Sequence, residues 1–321
     1  MLGVLKRKEA NILYIIAAVS IAISIRNRAF LTWENALDLL KANAVMGMVA
    51  MGMLMAILTG GIDVSVGAVT AVVTVMTGRL MVSMNLNLFA VFVLAGVLGA
   101  LMGFINGFCI AAFNLPPIVV TLGTVSVYNG LNLYYTNGTW ITNLPQWFQD
   151  FGDITVLGLP IQVVFLAAAA LLTWFVLNHT VVGRGIYAMG GNLDAARRTG
   201  FNVSRITMFV YSYIGFMAGI AAVVHSSIVK MVDPNAFAGF DLQVIAVVVL
   251  GGANALGGEG SVLGTLLGLL MIGIINNGLI LAWIPTYWQQ VIVGIIILSA
   301  VCFDVIRRRN TERSMCKIDI A

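Results

Sequence analysis

Charge is what this chain has least of. Only 9% of its 321 residues are charged and 60% are hydrophobic, whereas a soluble domain carries about 25% charged residues. With a mean hydropathy of +1.00, that composition excludes an ordinary soluble protein and points to a polytopic membrane protein. Three cysteines, Cys109, Cys302 and Cys316, show neither pairing pattern nor metal spacing, so no disulfide framework is implied. The two histidines, His179 and His225, have no triad or metal spacing around them, so an intramembrane enzyme lacks its parts. We assign no catalytic residue, no metal and no cofactor. A phosphate-binding loop of the Gly-x-x-x-x-Gly-Lys-Ser/Thr type is missing too, so any ATP hydrolysis belongs to another chain. The net charge of +4 comes from basic residues beside apolar runs, which is a topology signal and no footprint of nucleic acid.

What is there is a series of apolar runs of membrane-spanning length. They predict an all-α helix bundle of about ten transmembrane helices, near residues 10–25, 42–58, 64–78, 86–112, 117–135, 160–177, 206–229, 239–253, 261–282 and 286–305. Residues 1–310 form one transmembrane domain and 311–321 a short tail. Lys6, Arg7 and Lys8 precede the first run, and no small-residue cleavage site follows it, so it is expected to stay as an uncleaved span. With ten crossings and the N-terminus inside, twelve Lys and Arg residues fall on the cytoplasmic side: Lys6, Arg7, Lys8, Arg184, Arg197, Arg198, Arg205, Arg307, Arg308, Arg309, Arg313 and Lys317. Five fall outside: Arg26, Arg28, Lys41, Arg79 and Lys230. That asymmetry places both termini in the cytoplasm of a cell whose inner (plasma) membrane holds the chain.

The longest polar interruption expected on the cytoplasmic side is 183–202, GRGIYAMGGNLDAARRTGFN. Asn192 can cap a helix, Asp194 suits its first turn, Arg197 and Arg198 its last, and Gly200 stops it. Ala195 and Ala196 in the middle give a small-residue face that a partner groove could approach closely. The plainer alternative is a loop whose arginines only fix topology. On the outer side, 136–159 carries Trp140, Trp147, Phe148 and Phe151, expected as interfacial anchors, and the segment from Thr32, TWENALDLLKAN, is expected to lie along the interface before the second span.

Two breaks interrupt the apolar runs. One holds Gly60, Gly61, Asp63 and Ser65, the other Gly258, Glu259 and Ser261, and both read acid, any residue, Ser, Val. Their acids are expected at cytoplasmic helix ends, either capping the next helix or marking movable backbone of the kind transporters use. Polar residues inside the spans are amides and hydroxyls: Asn106, Thr121, Tyr128, Asn129, Asn276 and Asn277. Neutral groups of this kind suit a polyhydroxy solute better than an ion, although interhelical hydrogen bonding is the commoner use of any one of them. Gly99 with Gly103, and Gly264 with Gly268, predict close helix packing.

LTGGIDVSVGA, NLPPIVVTLGT, GRGIYAMGGNLDAARRTG and VVLGGANALGGEGSVLGT, in this order, resemble the membrane permease subunits of ribose-type ABC sugar importers over nearly the whole chain. The resemblance implies import of a monosaccharide or sugar derivative, whether pentose, deoxyhexose or autoinducer-type sugar. It also implies three partners besides lipid: a cytoplasmic ATP-binding subunit, a periplasmic or extracellular sugar-binding protein, and a second permease, identical or paralogous. It makes 183–202 the ATPase-coupling loop, carried by Gly190, Asn192, Ala195, Ala196 and Gly200. The alternative is an ion-coupled secondary sugar transporter, which needs an ionisable residue well inside the bundle.

Overall fold

A computed structural model describes residues 7–295 apart from 85, 286, 290 and 293. In chain order the helices are α1 (Arg7–Arg26), a 3-10 turn (Arg28–Leu31), α2 (Trp33–Leu58), α3 (Val66–Met84), α4 (Leu88–Phe113), α5 (Pro117–Thr136), α6 (Gln146–Phe151), α7 (Ile161–His179), α8 (Val181–Gly191), α9 (Leu193–Arg198), α10 (Val203–Val229), α11 (Phe240–Leu250) and α12 (Val262–Leu281). A two-stranded hairpin, β1 (Thr155–Val156) with β2 (Leu159–Pro160), joins α6 to α7. Six helices, α2, α3, α4, α7, α10 and α12, are long and apolar enough to cross a membrane. The tenth expected span and the tail lie outside the described residues for most of their length.

Packing partners fix the direction in which the helices run. On α4, Ala95, Gly99 and Gly103 meet Gly219, Gly215 and Tyr211 of α10, so the two are antiparallel, and a methyl group added at Gly99 or Gly103 would run into the opposing backbone carbonyl. Small residues bring these two backbones into contact, which is how membrane helices gain packing energy without a hydrophobic drive between them. Gly264 and Gly268 of α12 meet Gly251 and Val247 at the end of α11 in the same way. Asn277 and Gly273 of α12 face Asn35 and Asn43 of α2, again antiparallel. One end of the bundle therefore carries α6, the hairpin and the end of α10; the other carries α8, α9 and both helix breaks.

Three expectations change. The segment from Thr32 does not lie apart from the second span: Trp33–Leu58 is one helix, capped by the Thr32 side chain accepting from Asn35 N, because no glycine or proline occurs from Trp33 to Met46 to break it. Phe148 and Phe151 are buried and do not anchor in an interface. They close the α6 end of the bundle against Phe92 and Phe165, with Phe151 ring centroids 5.7 and 6.1 Å from theirs; Trp140 alone of the four is well exposed. At the same end Lys230 and Asp153 pair at 2.6 Å, and the lysine holds the Asp153 carboxyl below its usual range.

The third change concerns irregular backbone. Between α10 and α11 the chain does not turn at the surface. Val232 pairs with Ile141 near the α6 end and packs on Gly78 of α3, while Phe237 and Asp241 lie against Gly67 of the same helix. From Gly78 to Gly67 is about 16 Å along a helix, so residues 232–239 run down inside the bundle and α11 starts part-way through it. Such backbone survives at membrane depth where protein or a watery cavity surrounds it.

Candidate functional site

The 183–202 stretch folds as two helices meeting at Asn192. Thr180 caps α8 by accepting from Gly183 N at 3.1 Å. Asn192 N donates to Ala188 O at 3.0 Å and its side chain accepts from Ala195 N at 2.9 Å, so one residue ends α8 and begins α9. Asp194 occupies the first turn of α9 and Arg197 and Arg198 its last, charges placed as the helix dipole favours. Gly200, at φ +89°, takes a left-handed turn that side-chain-bearing residues disfavour. The two alanines separate: Ala195 is exposed, while Ala196 is buried and accepts from Phe201 N at 3.1 Å. Every residue of α9 except Ala196 is thus open: Leu193, Asp194, Ala195, Arg197 and Arg198.

Behind α9 three backbones converge. Gly258 N donates to Leu58 O at 2.9 Å, joining the two helix breaks directly. Gly190, near the end of α8, sits on that bond: a Cβ there would collide with Leu58 O and Gly258 N. A Cβ on Gly257 would lie 2.9 Å from both Gly190 Cα and Gly60 N. Tyr187 of α8 donates to Gly260 O at 3.0 Å. Gly60, Gly190, Gly257 and Gly258 thus form a junction that only glycine can build, tying α8 to the C-terminal end of α2 and to the α11–α12 connection. Beside it lies a cavity of about 380 Å³ bordered by Thr59, Gly60, Leu193, Arg197, Thr207 and Tyr211.

The two acids part company. Glu259 is exposed and lies just before α12 begins at Val262. Asp63 is 2% exposed and is set in from the end of the bundle: it is level with Asn106, about 10 Å from the end of α4 at roughly 1.5 Å per residue. The chain turns back at Gly60 (φ +80°) and dips inward before α3 begins. Ser65 donates its N–H at 2.8 Å and its hydroxyl at 2.6 Å to Asp63 Oδ1, and Asn106 Nδ2 donates to Ser65 Oγ at 2.7 Å. Asn106 Oδ1 and the Tyr211 hydroxyl are buried without a hydrogen-bond partner; the latter lies 2.8 Å from where a Gly61 Cβ would stand. In the other break Ser261 does the capping, accepting from Gly264 N at 2.9 Å.

The six intramembrane polar residues do not form one site. Asn106 belongs to the Asp63 cluster. Thr121 donates to Pro117 O at 3.0 Å and Tyr128 to Met102 O at 3.2 Å, so both serve interhelical or local packing. Asn129 lines a cavity of about 420 Å³ with Asn235 and Asp241. Asn276 and Asn277 line another of about 580 Å³ with Asp38, Asn43, His225 and Gln243. Asn277 is held by Asn35 through paired amide bonds of 2.8 and 3.1 Å. Sequence reasoning missed Asn43, Asn235, Asp241 and Gln243; the turn residues Asp233-Pro234-Asn235 were the signal that an extended stretch precedes α11.

Residues 35–301 match the family described as the branched-chain amino acid transport system / permease component. The chain belongs to that permease family. It is 40% identical to the ribose import permease protein RbsC of Bacillus subtilis over 88% of each chain. With the D-allose transport system permease protein AlsC of Escherichia coli it shares 34% identity over 91% of this chain and 90% of the other. With the autoinducer 2 import system permease protein LsrC of Salmonella typhi it shares 32% over 96% and 88%. No solved structure gives a significant match. The permease is thus a multi-pass inner-membrane subunit of the ribose-type ABC importer family, and its glycine junction lies within the stretch the family match covers.

Proposed function

We propose that this permease moves a monosaccharide or sugar derivative inward, driven by a separate ATP-binding subunit that docks on α9 and supplied by a sugar-binding protein at the α6 end. The relatives named for ribose, D-allose and autoinducer 2 support a sugar class over the amino acids in the family description. A second permease, identical or paralogous, completes the membrane unit. The excess of basic residues at the α9 end supports a cytoplasmic position for it, with ten crossings.

The observation that carries the coupling role is the junction behind α9. A push on the Leu193–Ala195 face reaches Gly190 through one short helix, and Gly190 touches both breaks at once. Alternating access then follows as a change in how the α2 end and the α11–α12 connection are held, with Gly190, Asn192, Ala195, Ala196 and Gly200 forming the coupling element. The gating backbone is Gly60, Gly61, Asp63, Ser65, Gly258, Glu259 and Ser261. Energy from binding can bias two states only through contacts that differ between them, and the junction is where such contacts are concentrated.

The test is radiolabelled sugar uptake by vesicles carrying the permease with its ATPase and binding protein. Uptake should need ATP and both partners, and Ala195→Glu should abolish it while the permease still folds, because Ala195 is exposed. Uptake by the permease alone on an ion gradient, or full ATP-driven uptake by the Ala195→Glu variant, would overturn the reading.

A further inference from the structure

The cavity between α2, α10, α11 and α12 is not needed to explain coupling, and its lining has a chemistry of its own. It reaches from Asp38, Val229 and Ile280 near the α6 end down to Met46 and Gln243. Its volume of about 580 Å³ falls within the roughly 300–1,000 Å³ of small-molecule sites. We propose that it is a carbohydrate subsite of this chain, at which the permease itself reads the solute after the binding protein releases it. The proposal rests on the reading of the protein as a sugar importer subunit.

Four features support it. First, Asn43, Gln243 and Asn276 bring three carboxamides to one cavity together with the Asp38 carboxylate. Gln243 and Asn276 have no hydrogen-bond partner among the described residues, and Asn43 uses only its Nδ2, on Leu39 O at 2.8 Å. Amides that both donate and accept, beside an acceptor-only carboxylate, match rows of hydroxyl groups. Second, groups this polar on membrane helices must face water or a solute, since hydrocarbon would leave them unpaired at a cost.

Third, among the described residues no lysine or arginine lines the cavity, and its one basic side chain is His225, which is mostly neutral at pH 7 by its ordinary value, so a carboxylate or phosphate would find no permanent counter-charge. That disfavours sugar phosphates and amino-acid carboxylates against neutral polyols. Fourth, Phe237 and Phe240, with ring centroids 5.3 Å apart, form an apolar wall on the stretch that descends inside the bundle, and it offers the C–H face of a sugar ring a surface while the amides take its hydroxyls. Phe237 also borders the neighbouring cavity of Asn129 and Asp241, which gives the solute a route from one to the other.

The experiment has two arms. Equilibrium binding of radiolabelled ribose and allose to the detergent-solubilised permease–ATPase complex, without binding protein, should show weak saturable binding of at least one sugar. A neutral sugar should compete; leucine and ribose 5-phosphate should not. In reconstituted vesicles, Gln243→Leu and Asn276→Leu should each change the ratio of ribose to allose uptake by about five- to tenfold, the effect of losing one discriminating hydrogen bond. Wild-type uptake that fails to need ATP sinks the parent reading. Intact ATP-dependent wild-type uptake with no sugar bound by the complex, or with an unchanged uptake ratio in the variants, sinks the subsite alone. If a leucine variant fails to assemble, the binding arm on the wild-type complex still decides.

Discussion

The two helix breaks carry the same four-residue pattern and end up in opposite surroundings. Asp63-Val64-Ser65-Val66 dips into the bundle, where the carboxylate is buried and Ser65 spends its hydroxyl on Asp63. Glu259-Gly260-Ser261-Val262 stays at the bundle's edge, where the acid is exposed and Ser261 caps α12. What separates them is the helix each break follows. α2 is the most enclosed of the six spans, and α4 and α10 stand beside its end with Asn106 and Tyr211. α11 is a short helix, and the connection after it comes out to exposed positions at Ala255, Leu256 and Glu259. A local motif thus sets the turn, and the neighbours set how deep it lies.

The glycine that joins the breaks gives the largest effect. Gly190→Leu puts a side chain into Leu58 O and Gly258 N, backbone atoms that cannot step aside. Its cost should exceed the ~1–3 kcal/mol usual for overpacking, seen as loss of monodisperse permease on size exclusion. Next comes the acid pair. Asp63→Ala strips the Ser65 N–H and hydroxyl of their buried acceptor and should destabilise by about 1–3 kcal/mol, whereas Glu259→Ala, at an exposed position, should cost under about 1 kcal/mol. Thermal unfolding in detergent compares the two, and equal shifts would erase the distinction drawn here. Ser261→Ala removes a cap and should cost about 1 kcal/mol by the same assay. Smallest is Tyr211→Phe, which removes a buried hydroxyl that has no partner; stability should stay level or rise by up to about 1 kcal/mol.

Much of this was legible beforehand where the signal is local. Asn192, Asp194, the arginine pair and Gly200 spell out α9 in sequence order, and the glycine pairs at Gly99–Gly103 and Gly264–Gly268 announced close packing that α4–α10 and α11–α12 display. The fate of Ala195 and Ala196 was not legible, because two adjacent helical residues of one type differ only in which neighbour they face. The amides were harder still. Gln243 and Asn43 lie 200 residues apart, and nothing in either neighbourhood says that they share a cavity with Asn276. The descending stretch 232–239 escaped because it replaces a surface turn by irregular backbone that borders two cavities, a choice that depends on the walls supplied by α3 and α5.

By itself the sequence determined the membrane as solvent, the apolar helices and their caps, and the family, since each follows from composition or from contacts within a few residues. Tertiary structure alone decided which breaks meet, how deep Asp63 sits and which polar groups face a common cavity. These depend on backbones from distant parts of the chain coming within van der Waals range, and at Gly190 that approach requires the absence of a side chain on one segment and the exact placement of two others.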